Sequence, residues 1–267
     1  MDMRGKTVVL TGATGGIGCA IAEKLSDAGA QLILVARNET RLSRLVEKLG
    51  AERHVSVSAD LSSDEGRSRI VDFCRDSVPQ GVSLLINGAG TNEFGMFESK
   101  SAAAIRDLLD TNLLSPILLC LAFLPLLQQQ QEARIINIGS TFGSIGYPGF
   151  STYCASKFGL RGFTEALRRE LADTGTRISY IAPRATRTDL NSDAVVAMND
   201  ELGTAMDDPA LVADEVMRVI KGPANTDKYI GWPEKLFIRI NAVFPGVVDN
   251  SLRKQLPIIQ RFARSKP

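Results

Sequence analysis

The chain of 267 residues contains a single histidine, His54, and four cysteines, Cys19, Cys74, Cys120 and Cys154, with no Cys-x-x-Cys pair. Cys/His zinc sites and zinc-dependent hydrolases are excluded on ligand supply, and no metal is expected. A Ser-His-Asp or Cys-His nucleophile would have to use His54, whose neighbours Glu-Arg-His-Val-Ser-Val read as a strand entrance, so a structural role is expected for it. An excess of either charge is also missing: 31 Lys+Arg against 30 Asp+Glu leave +1, without the basic surplus of a nucleic-acid binder. Long apolar runs are lacking too. Residues 113–127 come nearest, but with Pro116 and Pro125 they fall short of the ~20 residues a bilayer needs and read as a buried helix also used in subunit contact. Only a short apolar stretch precedes Thr11-Gly12, without the h-region of a signal peptide; with unpaired cysteines, a reducing cytoplasm is expected.

What is present is an ordinary globular composition, 44 % apolar and 23 % charged, arranged as alternating strands and helices. Apolar runs at residues 7–10, 31–36, 54–59, 83–87, 134–138 and 177–182 predict strands. Helical spacing predicts helices at 19–29, 39–49, 63–75, 102–112 running on toward 128, 153–173 and 210–220. The alternation predicts one α/β domain over 1–267: a doubly wound parallel sheet, Rossmann-like, with helices on both faces.

Gly12, Gly16 and Gly18 fall between the first strand and the first helix. Glycines there permit a tight turn, and the helix N-terminus offers free N–H groups and a positive dipole to a pyrophosphate. An acid ending the second strand would bind a ribose 2′-hydroxyl and repel a 2′-phosphate. The chain has Ala36-Arg37-Asn38 instead, which favours NADP(H) over NAD(H); the competing reading makes Arg37 a solvated charge like Arg41 and Arg44. Asp60 and Leu61, after the third strand, are placed to meet the adenine. Tyr153 and Lys157 lie four apart at a helix start and share a face. A nearby ammonium lowers a phenol from its reference pKa of about 10 toward working range. Ser140 stands upstream at the carboxyl end of a strand, where parallel sheets bind ligands.

Thr11-Gly-x-x-x-Gly16-x-Gly18, Asn87-Gly-Ala-Gly90, Asn112, Ser140, Tyr153-x-x-x-Lys157 and Pro183 followed by Thr188, taken in order, resemble the short-chain dehydrogenase/reductase family over about residues 5–190. The resemblance implies Tyr153 as acid-base, Lys157 lowering its pKa and holding the nicotinamide ribose, Ser140 bonding the substrate oxygen, and Asn112 organising a water behind Lys157. It implies that Thr14, Gly15, Gly16, Ile17, Gly18, Asn87, Ala89, Gly90, Pro183 and Thr188 border the dinucleotide. The reaction implied is hydride transfer between NADP(H) and a hydrophobic ketone or secondary alcohol (ketoacyl, steroid-like or another lipid carbonyl), in a homodimer or homotetramer. The same fold carries nucleotide-retaining epimerases and dehydratases and non-enzymatic sensors, but a short C-terminal part and an intact Tyr and Lys favour the oxidoreductase. Three positions depart from the family pattern: Gly88 for a second Asn, Gly15 for a basic residue, and Arg184 for a Gly after Pro183.

Around this centre, Phe94, Phe97, Phe142, Tyr147 and Phe150 fall in loops after strand ends, either lining an apolar substrate pocket or packing loop to core. Arg184 either alters substrate choice or points to solvent. Residues 189–208 read as a substrate lid that ends at Asp208-Pro209, a cap and first-turn proline. Residues 234–267 form a basic and apolar extension, seven Lys/Arg against two acids. Packing on the subunit or a symmetry mate, peripheral membrane contact and a disordered tail all fit it, and Pro245-Gly246 break any long amphipathic helix.

Overall fold

The strand Thr7–Thr11 (β1) is buried along its whole length, and its side chains alternate between two separate cores: Val8 and Leu10 enter one, Val9 the other. Gln31–Ala36 (β2) repeats this, with Leu32 and Leu34 on one side and Ile33 and Val35 on the other. A strand covered on both faces reads as a continuous apolar run. The computed structural model, which describes residues 1–223, 225 and 227–264, joins these to His54–Ser58 (β3), Leu84–Asn87 (β4), Ala133–Ile138 (β5), Thr176–Ala182 (β6) and Lys228–Tyr229 (β7). All pairs are parallel, in the order β3-β2-β1-β4-β5-β6-β7. The doubly wound single domain expected from the alternation is therefore what forms.

One face is covered by Gly16–Asp27 (α1), through Ile21, Ala22 and Leu25, by Glu39–Leu49 (α2) and by Pro209–Lys221 (α8). The other is covered by Asp64–Ser77 (α3), Ser115–Leu127 (α5) and Ser151–Glu170 (α6), with Ile70, Phe123 and Leu167 in its core. The apolar segment 113–127 is thus a core helix on one side, though Ala102–Leu127 as a whole is long and apolar enough to cross a membrane. Ala102–Leu109 (α4) does not run straight into α5. Residues Asp110–Leu114 form a π-turn between them.

Beyond β6 lie Asp193–Glu201 (α7), within the expected lid, and two helices that periodicity did not predict, Glu234–Val243 (α9) and Pro245–Arg264 (α10). Pro245-Gly246 separate the two, but α10 is itself a long amphipathic helix, because a proline in the first turn costs no hydrogen bond. It buries Val248 and Ile259 against the domain, so the disordered-tail reading fails for the described part; Lys266 lies outside the described residues. Asp208 caps α8 as expected, its carboxylate accepting from the Ala210 N–H at 2.8 Å. His54 is structural: Nδ1 accepts from the Leu32 N–H at 3.2 Å, which leaves Nε2 to donate to the Ser26 hydroxyl at 2.8 Å.

Candidate active site

The strand order reverses between β1 and β4, which opens a crevice at the carboxyl ends of the sheet. It is a cavity of about 790 Å3 reaching from the glycine turn to the C-terminal helices. At the glycine end, Gly12 has φ +68°, and a Cβ there would lie 2.6 Å from the backbone of Gly88 and Ala89. Thr11 fixes that approach, its hydroxyl oxygen accepting from the N–H groups of Gly88 and Ala89 at 3.1 and 3.2 Å. A Cβ on Gly18 would lie 2.1 Å from the Gly12 carbonyl, and one on Gly16 2.7 Å from Thr188. Helix α1 is preceded by Gly15 at its N-cap, so it has no side-chain cap, and its first turn carries no acid. Its first N–H groups are left for an anion, so the cradle fits a dinucleotide pyrophosphate.

On the next wall lie Arg37 and Arg41, both exposed, with Asp60 and Leu61 beside them. The N–H and hydroxyl of Ser62 donate to Asp60 at 3.0 and 2.8 Å and, with a smaller contribution from Arg37, hold its carboxyl below the usual range.

Ser140 follows β5, and Tyr153 and Lys157 lie one turn apart on α6; all three face the cavity. Lys157 is buried, its ammonium donating to the Ile138 carbonyl at 3.2 Å and standing 5.7 Å from the centre of the Tyr153 ring. Burial lowers Lys157 to about 8. It raises Tyr153 to about 12, against a hydrogen bond from Ser140 that acts in the opposite direction. The Tyr-x-x-x-Lys spacing predicts a lowered phenol. In the chain itself burial outweighs the Ser140 hydrogen bond, and Tyr153 is a neutral hydroxyl, in the right state to give a proton.

Asn112 sits on the π-turn, fully buried, behind this group and not on the cavity wall. Its amide accepts from the Thr91 N–H at 2.8 Å and donates to the Thr91 carbonyl at 2.9 Å and to Ser156 at 3.3 Å, tying the β4 loop to α6. Asn87 also departs from its expected place: its side chain turns inward and donates to Asn137 at 2.8 Å. Thr14, Gly15, Gly16, Ile17, Gly18, Ala89, Gly90, Pro183 and Thr188 do border the cavity.

Phe142, Tyr147 and Phe150 line the far end, Phe142 and Tyr147 stacked with ring centres 4.8 Å apart. Phe94 instead packs behind Phe150 at 4.9 Å, and Phe97 is 64 % exposed on a surface turn. Arg184 lines the cavity and does not point to solvent. Its guanidinium grips the Asp207 carboxylate at 3.0 and 2.6 Å and also donates to Glu234 at 3.3 Å and to the Trp232 carbonyl at 3.0 Å. It therefore ties the end of β6 to Asp207 and to α9.

Two groups of functional residues are not apparent from the motifs. Val195 and Met198 of α7 and Phe237, Val248 and Leu252 of α9 and α10 close the apolar end of the cavity; the apolar spacing of Val248, Leu252, Ile259 and Phe262 was the available signal. The second is Tyr180 of β6, fully buried. Its hydroxyl accepts from the Ser140 N–H at 3.1 Å and donates toward the carbonyls of Ser140 and Lys157 at 3.1 and 3.3 Å. Gly139 and Gly143 make room for the ring: a Cβ on Gly139 would lie 1.9 Å from it.

A family model described as short chain dehydrogenase matches residues 6–198. The 3-oxoacyl acyl-carrier-protein reductase FabG of Vibrio cholerae is 33 % identical over 205 residues, 77 % of this chain and 82 % of that protein. The ketoacyl reductase HetN of a Nostoc species is 31 % identical over 259 residues, 94 % of this chain and 89 % of that protein. Among solved structures, a short chain dehydrogenase of Burkholderia cenocepacia in complex with NADP has a TM-score of 0.80 at 25 % identity, covering 88 % of this chain and all of that one. One of Burkholderia phymatum in complex with NAD, at 23 % identity, shares the fold with a TM-score of 0.82 over 93 % of this chain and 96 % of that one.

Proposed function

The chain belongs to the short-chain dehydrogenase family, and from that premise we propose that this oxidoreductase reduces a hydrophobic ketone to a secondary alcohol with NADPH. The observation that carries the reading is the convergence of Ser140, Tyr153 and Lys157 on a cavity with a glycine phosphate cradle at one end and aromatic walls at the other. A nicotinamide dinucleotide held by Gly12–Gly18, Asp60, Leu61, Ala89, Gly90, Pro183 and Thr188 would supply the hydride. Ser140 bonds the substrate oxygen. Tyr153, neutral at pH 7, donates its proton to that oxygen as charge develops on it, and Lys157 beside the ring offsets the charge then left on the phenol. NADPH is favoured because Arg37 and Arg41 flank the adenine end while β2 ends without a carboxylate. The aromatic wall and the names of the ketoacyl reductase relatives support an acyl ketone.

We further propose a homodimer or homotetramer that uses α5 and the turn before it, where Leu121 and Leu114 stand 69 % and 46 % exposed. A cytoplasmic site is supported by four free cysteines. Titration with NADPH and NADH side by side, repeated with Arg37→Ala, tests the cofactor: NADPH should bind at least about tenfold tighter, and the variant should lose the difference. Tyr153→Phe should cut ketone reduction by about 10²–10⁴ without weakening NADPH binding. Near-normal turnover in that variant sinks the mechanism.

A further inference from the structure

The corner between α9 and α10 carries six consecutive exposed residues, 242–247, reading Ala-Val-Phe-Pro-Gly-Val. Val243 is 66 % exposed, Phe244 64 % and Val247 59 %. Apolar residues scattered singly over a surface need no explanation, but a contiguous apolar tip marks an interaction site. What surrounds it indicates the partner. Lys235 and Arg239 on α9 and Arg253 and Lys254 on α10 are exposed and have no carboxylate partner among the described residues. Further along α10 the cations are engaged, Arg261 with Glu201 and Arg264 with Glu98. At a rise of about 1.5 Å per residue, the four free cations stand about 6–12 Å back from Val243 and Val247, Arg239 nearest and Lys235 farthest. That offset matches a tip buried roughly 5–10 Å into the headgroup and acyl boundary, with the cations level with lipid phosphates. A two-fold contact between copies would instead bring these basic groups together.

We propose that the α9–α10 corner inserts into the surface of an anionic lipid bilayer. Phe237, Val248 and Leu252 of the same two helices wall the apolar end of the cavity, so docking holds that end against the membrane. The proposal goes beyond the reductase reading and does not depend on it, since the contact uses none of the reacting groups.

The test is co-sedimentation of the full chain with vesicles of phosphatidylglycerol and phosphatidylcholine, and with phosphatidylcholine alone. The protein should sediment with the anionic vesicles only, and high salt should release it. Val243→Ser with Phe244→Ser, and separately Lys235→Glu with Arg239→Glu, should each lower partitioning by at least about tenfold while the circular dichroism spectrum and NADPH binding stay unchanged. In a Trp232→Phe background, the Phe244→Trp variant should shift its indole emission to the blue on anionic vesicles. Absence of sedimentation, equal sedimentation of the variants, or an indole emission that does not move would each overturn the proposal. So would failure to bind vesicles combined with loss of the oligomer in the serine variant, which would make the corner a contact between copies.

Discussion

At the residue scale the site is governed by what burial does to two titratable groups. Lys157 has a folded-state value of about 8 against 10.5 for the free side chain, so the unfolded chain holds its proton more tightly. The destabilisation is therefore complete below about pH 8 and fades as pH rises toward 10.5. Lys157→Met should stabilise the unliganded protein by about 2 kcal/mol at pH 7, less than the shift alone implies because a hydrogen bond to Ile138 is lost. Calorimetry should show Tm higher by about 4–8 °C together with collapsed activity; an unchanged or lower Tm would show that the buried cation is not strained. In the wild type, ketone reduction should hold up to about pH 8 and decline above it as Lys157 loses its charge, since Tyr153 at about 12 stays protonated. Tyr180 adds a prediction that the motifs did not contain. Tyr180→Phe keeps the ring but strips the Ser140 N–H of its partner. It should cost about 1–3 kcal/mol of stability and roughly tenfold in kcat, with the NADPH dissociation constant unmoved. Ser140, Tyr153 and Lys157 were legible because their chemistry needs those types at that spacing. Tyr180 was not, because the glycines that admit it, Gly139 and Gly143, are far from it in the chain.

At the element scale, the parallel strands were legible because burial on both faces favours continuous apolar runs, as in β1 and β2. The π-turn was hidden: one wide turn shifts the phase of an apolar helix without interrupting it, yet it places Asn112 against Thr91 and Ser156. β7, only Lys228–Tyr229, was too short for any pattern to register. The C-terminal helices were masked by Pro245-Gly246, read as a break when the proline in fact opens α10. Arg184 joins these late elements to the sheet. With Arg184→Ala, Asp207, only 7 % exposed, would be left as an unpaired buried charge. A loss of about 3 kcal/mol in denaturant unfolding is expected. The KM for an apolar ketone should rise more than the NADPH dissociation constant, because the released elements wall the substrate end. Equal weakening of both ligands would mean that Arg184 supports the domain as a whole.

At the scale of the whole molecule, residues distant in sequence are locked into one body. The N-terminal ammonium donates to the Ile220 carbonyl at 3.1 Å, joining the chain start to the end of α8. Arg134 in β5 reaches the carbonyls of Val219 and Gly222 at 2.9 and 2.7 Å. The cavity draws its walls from residues between Gly12 and Gln255, including the glycine turn, the ends of β4 and β5, α6, α7, α9 and α10. A ligand that binds the folded form alone then stabilises everything at once. With NADPH at about 100 times its dissociation constant, the gain should be about 2.7 kcal/mol, or roughly 5–11 °C in Tm. The unfolding endotherm should stay a single peak that moves as a unit, its calorimetric and van't Hoff enthalpies equal. If instead NADPH moved one part of the endotherm and left a second, earlier transition in place, the helices after β6 would be an independent unit, and the substrate end of the cavity could open while the cofactor end held firm.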